Sequence, residues 1–162
     1  MDYVDRVRAE WAEQRPDLDT ATSAVGARLR RVAALLEAAL ERSAARHDVS
    51  RAEFDVLAAL RRAGRPLRAG EVSTMTGAPG AALPARLARP ALAALVERTG
   101  AERDRRGVLG ALTDAGTTLV DEVFPQQLDR ERAALVDLDE AERAELARLL
   151  AVVLRRLDPV DY

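Results

Sequence analysis

Hydrophobic positions recur at helical spacing over most of the chain. Val4, Val7 and Trp11 stand at i, i+3, i+7 and predict a helix from Asp2 to Gln14, broken by Pro16. Val25, Leu29, Val32, Leu36 and Leu40 form a second stripe, predicting a helix from about Asp19 to Arg46. That length exceeds what a small domain needs and implies a spine or a dimer element. Ser50-Arg51-Ala52-Glu53 is a capping box that opens a third helix through Phe54, Leu57 and Leu60, stopped by Gly64 and Pro66. A short helix around Arg68–Thr74, a break at Gly77 and a helix-like segment from Pro79 to Ala94 follow. The period then changes: Leu95–Thr99 and Gly107–Leu112 read as two short strands around a tip at Gly100–Arg106. Thr113 caps a long helix to about Val136, with Pro125 inside it as a kink. Asp139 and Glu142 cap a last helix through Leu146, Leu149, Leu150, Val153 and Leu157.

Helix, short helix, helix and two-stranded ribbon is the element order of a winged helix-turn-helix, in which the second helix of the pair enters the major groove. The fold class is therefore mainly α, with a two-stranded wing. Charge supports a division of labour. The net charge is −2, but Ser50–Gly116 holds 11 Arg against 7 acids, leaving 14 Arg and 20 acids for the remainder. A basic middle between acidic arms fits a DNA-reading module on an acidic scaffold, although the excess is modest. The absence of cysteine excludes disulfides, thiolate zinc sites and thiol nucleophiles, and the single histidine, His47, leaves no His cluster for metal. No apolar run approaches membrane-spanning length and the acidic N-terminus is unlike a signal peptide, so the expected location is cytoplasmic.

Asp104-Arg105-Arg106-Gly107-Val108-Leu109-Gly110-Ala111-Leu112-Thr113-Asp114-Ala115-Gly116 resembles the wing of the MarR family of regulators. Leu95-Val96-Glu97-Arg98 is similar to the family's close of the recognition helix. Ser50–Leu60 resembles its third helix, and Gly70-Glu71-Val72 the helix after that. The resemblance implies one MarR-like domain over residues 1–162: a winged module at 49–116, and residues 1–48 and 117–162 interlocking as a helical dimerisation region. It also implies a homodimer whose modules each face half of a palindromic double-stranded DNA operator. In the wing, Asp104 and Arg106 would form a structural ion pair, leaving Arg103 and Arg105 to approach phosphates.

The recognition helix departs from the family. Where relatives carry Ser, Ser, Thr and Asn, this chain has Pro79, Gly80, Pro84 and Ala85, so Arg86 and Arg89 remain as the donors for phosphate or guanine. A proline inside a helix costs about 3 kcal/mol or more, so Pro84 and Pro90 predict a kinked or shortened helix. Two readings stay open. One is a ligand-responsive DNA-binding regulator, released by a small anionic or aromatic metabolite. The other is a repurposed protein that has lost DNA binding and uses its pocket to bind, sequester or transform a small molecule.

The resemblance also implies a pocket between the dimer arms and the winged module. The extra N-terminal helix with its lone Trp is similar to the branch that responds to urate and other small anions, where a Trp from the first helix meets an Asp and an Arg from the third. Trp11, Asp55 and Arg62 match, and i to i+7 spacing puts Asp55 and Arg62 on one helix face with Ala58 and Ala59 between them. A Trp plate beside an Arg suits a flat or carboxylated anion. The blander roles are packing for Trp11 and surface charge or an interhelical ion pair for Asp55 and Arg62. Arg15 and Ser23 are further candidate lining residues, and His47 reads as a helix C-terminal cap. No nucleophile, base or metal set stands out, so no cofactor or metal is expected. An enzyme would have to rely on a carboxylate such as Asp55, raised in pKa by burial.

Overall fold

The computed structural model describes residues 1–77, 89–97, 108–109 and 111–158. They fall into two compact units, Met1–Arg42 and Ser43–Tyr162.

The first unit holds α1 (Tyr3–Gln14) and most of α2 (Ser23–Ala45). Asp2 caps α1 by accepting from the Val4 and Asp5 N–H groups, while the Asp5 carboxylate accepts from the Asp2 N–H. Arg28 of α2 clamps both acids, Nε to Asp2 at 2.8 Å and Nη2 to Asp5 at 2.6 Å. The partner's backbone N–H first, and Arg28 as well, hold both carboxyls below the usual Asp value. Pro16 does end the first helix, and Arg15 turns to a bidentate pair with Asp17. The predicted stripes are only partly buried: Val4 and Leu40 are inside, whereas Trp11, Val25 and Val32 are exposed.

The second unit begins with the end of α2 and contains α3 (Arg51–Ala63), β1 (Leu67–Arg68), α4 (Ala69–Thr76), α5 (Pro90–Ala93), β2 (Val108–Leu109), α6 (Asp114–Ala134) and α7 (Glu140–Leu157). α3 is its centre, packed against α4 and α6. Its period-3.6 pattern buries Phe54, Val56, Leu57, Ala59 and Leu60 against a core that includes Val72, Leu92, Leu119, Val120 and Val123. The Ser50 capping box forms as expected, and Gly64 closes α3 at φ 61°, a left-handed conformation that only glycine adopts without strain. The Glu71 carboxylate accepts from the Arg68 N–H at 2.7 Å and so starts α4.

The wing is wider than its sequence indicates. Val96 and Leu112 bridge antiparallel, which is the expected pairing of the two segments. In addition β2 pairs antiparallel with β1, Leu67 opposite Leu109 and Arg68 opposite Val108. β1 has no signature in the sequence because two residues cannot display a period. Pro90 stands at the first position of α5, where a missing N–H and a fixed φ are tolerated, rather than in a helix interior. The rest of the predicted recognition segment, 78–88, lies outside the described residues. α6 begins at the expected Thr113 cap and contains Pro125, and α7 begins at the Asp139–Glu142 capping box.

Candidate functional site

The second unit fastens the wing through backbone and small side chains. The Thr113 N–H donates to the Leu95 carbonyl at 3.1 Å, its hydroxyl donates to the Ala94 carbonyl at 3.1 Å, and the Glu97 N–H donates to Ala111 at 2.9 Å. Gly116 lets this happen: a Cβ there would lie 2.2 Å from the Leu95 carbonyl oxygen. The last glycine of the wing motif is therefore a close-approach position between α6 and the chain entering the wing. Of the residues expected on DNA, Arg89 is described, and it is engaged. Its Nη1 donates to Glu53 Oε2 at 2.7 Å, with the Arg89 side chain 55% exposed and that of Glu53 1% exposed. Arg86, Arg103 and Arg105, and the Asp104–Arg106 pair, lie outside the described residues.

Of the residues expected at the ligand pocket, Trp11 belongs to the first unit, where it is half exposed on α1. Asp55 and Arg62 belong to the second. They share α3 but reach different neighbours: Asp55 takes Arg51 Nη2 at 3.2 Å, and Arg62 Nη2 reaches the Met75 carbonyl at 3.5 Å near the end of α4. A cavity of about 200 Å³ opens elsewhere in this unit, lined by Leu60, Arg61, Gly64, Arg65, Pro66, Ala111, Leu112 and Thr117. None of the expected ligand residues lines it. Both of its arginines carry acid partners, Arg61 on Asp121 of α6 and Arg65 on Glu71 of α4. The hydrogen bonds from Arg61 and Arg65 are the leading cause that pulls the Asp121 and Glu71 carboxyls below their ordinary values.

Two clusters had no separate signal in the sequence. Buried Ser43 accepts from Arg130 Nη2 at 2.6 Å and from Arg46 Nη2 at 3.3 Å, while Arg46 also donates to Gln126 Oε1 at 2.8 Å. This bolts residues 43–46 to the middle of α6. His47 sits in the turn just beyond, 3.8 Å from Glu122, beside Asp48 in a left-handed conformation at φ 58°. The second cluster is Glu53 itself. Its cap role was legible, its burial was not.

The geometry has counterparts in known proteins. No family model matches the chain. The HTH-type transcriptional regulator PecS of Dickeya dadantii (strain 3937) is 33% identical over 156 residues, which is 95% of this chain and 94% of that protein. The crystal structure of AbsC, a MarR family transcriptional regulator from Streptomyces coelicolor, superposes with a TM-score of 0.71 at 26% identity, covering 88% of this chain and 97% of that one. Bordetella bronchiseptica BpsR, whose structure concerns regulation of its DNA binding by 6-hydroxynicotinic acid, superposes at 0.67 with 29% identity, covering 80% and 97%.

Proposed function

Because this chain belongs to the MarR family, we propose that it is a ligand-responsive, DNA-binding transcriptional regulator working as a homodimer. The observation that carries this reading is near full-length similarity to a transcriptional regulator, and the hydrogen bonds and close approach that join Leu95 and Glu97 to Ala111, Thr113 and Gly116 support it. BpsR, with its DNA binding regulated by a small anionic aromatic, favours this over a fold kept only for its pocket.

Residues 49–116 are the DNA-facing module in this reading. Arg86, Arg103 and Arg105 approach the duplex, the Asp104–Arg106 pair stiffens the wing, and binding is salt-dependent because each phosphate contact releases counterions. Residues 1–48 and 117–162 form the dimerisation region. α7 buries none of its own side chains and leaves Leu146, Leu149, Leu150, Val153, Leu154 and Leu157 exposed, the surface a second copy would cover. Trp11, Asp55 and Arg62 contribute to a site for a small anionic or aromatic metabolite whose binding releases DNA. No helix among the described residues is long and apolar enough to cross a membrane, and the proposed location is the cytoplasm.

A gel shift on the DNA upstream of the protein's own gene, run across a salt series, tests the regulator. Binding that weakens steeply with salt is expected. No shift even at low salt, where counterion release favours the complex most, overturns the reading. Quenching of Trp11 fluorescence by aromatic carboxylates, lost in Arg62→Gln, is expected for the pocket. An unchanged signal across such a series removes Trp11 from it.

A further inference from the structure

Capping-box glutamates ordinarily sit at the surface, where the carboxylate satisfies the N-cap N–H and its remaining lone pairs meet water. Glu53 does the first and is denied the second. Its Oε2 accepts from the Ser50 N–H at 2.8 Å, from the Ser50 hydroxyl at 2.7 Å and from Arg89 Nη1 at 2.7 Å. Its other oxygen, Oε1, is buried and has no hydrogen-bond partner among the described residues. An ionised carboxylate removed from water is costly unless paired, and removing one partner of a buried pair leaves an uncompensated charge. Among the described residues Arg89 is the one cation in an ion pair with it.

Arg89 holds a particular place in the chain. Its carbonyl accepts from the Ala93 N–H at 3.0 Å and so starts α5. Three residues on, Leu92 is fully buried, and four beyond that Val96 bridges Leu112. The segment 89–97 is thus fixed by an ion pair to a buried carboxylate at its start, a core side chain in its middle and a strand bridge at its end. Arg86, assigned to DNA above, lies three residues before the ion pair.

We propose that Glu53 and Arg89 are positioning residues for DNA binding, with the buried Glu53 carboxylate tethering, through Arg89, the chain that leads out of the DNA-reading segment. This rests on the regulator reading and reassigns Arg89 from phosphate contact to internal strut. The half-exposed guanidinium shields the carboxylate from solvent. Its contribution to affinity is then orientation of residues N-terminal to it, and carries no counterion release of its own.

The two roles differ in salt dependence. A phosphate contact, when removed, lowers the slope of log K against log salt by about one, while lost orientation weakens binding at an unchanged slope. The experiment compares the full-length protein with Glu53→Gln, Arg89→Gln and their double variant, with Arg103→Gln as the phosphate control. Binding to the upstream DNA is measured over a salt series, and amide hydrogen exchange is measured without DNA. The expected result is about tenfold weaker binding for each single variant at the wild-type slope, and a double variant no worse than the weaker single. Exchange at residues 91–97 should accelerate in both variants while α7 is unchanged. A reduced slope for Arg89→Gln with full affinity retained in Glu53→Gln overturns the proposal. So does unaltered exchange at 91–97 in Arg89→Gln, read alongside the unchanged exchange of α7 that reports an intact fold. If the wild type binds no DNA at all, the regulator reading falls, and the exchange data decide the tether separately.

Discussion

α3 and α7 are both amphipathic helices of the second unit, each opened by a capping box, and the structure treats them in opposite ways. α3 buries Phe54, Val56, Leu57, Ala59 and Leu60 within its own chain. α7 buries none of its residues, and its last leucine, Leu157, is 77% exposed. Similar sequence patterns therefore carry different obligations. A stripe at period 3.6 says that a face must be covered, and gives no information on what covers it. For α3 the cover is α4 and α6. For α7 it has to come from outside the described fold, which is why the proposed dimer and the observed winged module divide at α6.

The sharpest way to break that comparison is a pair of substitutions, one on each helix. Leu57→Ala should cost about 2–5 kcal/mol in urea unfolding at any protein concentration, because it opens a cavity in a closed core. Leu150→Glu should leave the winged module folded. It should weaken self-association at least tenfold in sedimentation, corresponding to about 1.4 kcal/mol or more. A Leu150→Glu protein that self-associates as tightly as the wild type would mean that the α7 stripe serves something other than a second copy.

A smaller effect probes the joint between the two regions. Gly116→Ala places a methyl against the Leu95 backbone, which has no flexible end to move aside. It should cost about 1–3 kcal/mol, in line with overpacking elsewhere, and should weaken DNA binding before it affects dimerisation. Equal stability to the wild type would contradict the close approach.

The smallest effects are expected from surface ion pairs, which should not distinguish the regions at all. Asp121 pairs with Arg61 of α3, and Glu145 pairs with Arg148 inside α7. Both carboxyls are held below their ordinary values, 3.8 for Asp and 4.5 for Glu, by those arginine hydrogen bonds. A depressed carboxyl stabilises the fold above its unfolded value and loses that contribution as pH falls through the folded one. Asp121→Asn and Glu145→Gln should therefore show slight losses in melting temperature at neutral pH that close below about pH 4. A loss that persists undiminished into acid would remove the charge pair as its cause.

Much of the architecture was legible residue by residue. The caps at Ser50, Thr113 and Asp139, the stop at Gly64 and the break at Pro16 are all decided within a few residues of chain. The wing motif was legible too, and its terminal glycine proves to be a packing requirement. The candidate site was less so. Asp55 and Arg62 were placed on α3 correctly, and the Arg51–Asp55 pair lies at the i,i+4 spacing that one helix turn supplies, but nothing local announces that Arg62 turns to the carbonyl of Met75. Arg86, Arg103, Arg105 and the Asp104–Arg106 pair stand outside the described residues and remain proposals.

Taken by itself, the sequence determined where helices start and stop, which face of each is apolar, and that a short ribbon follows the third and fourth helices. These depend on spacings of one to four residues and on hydrogen bonds that close within a turn. Tertiary structure alone decided that β1 joins the wing, that Ser43 meets Arg130, and that Glu53 is buried with Arg89 as its counter-charge. Those partners lie 36 residues apart for Glu53–Arg89 and 87 for Ser43–Arg130. At such separations no periodicity links them. Only the packing of α3 against its neighbours sets which charges leave water, and so which ones must meet.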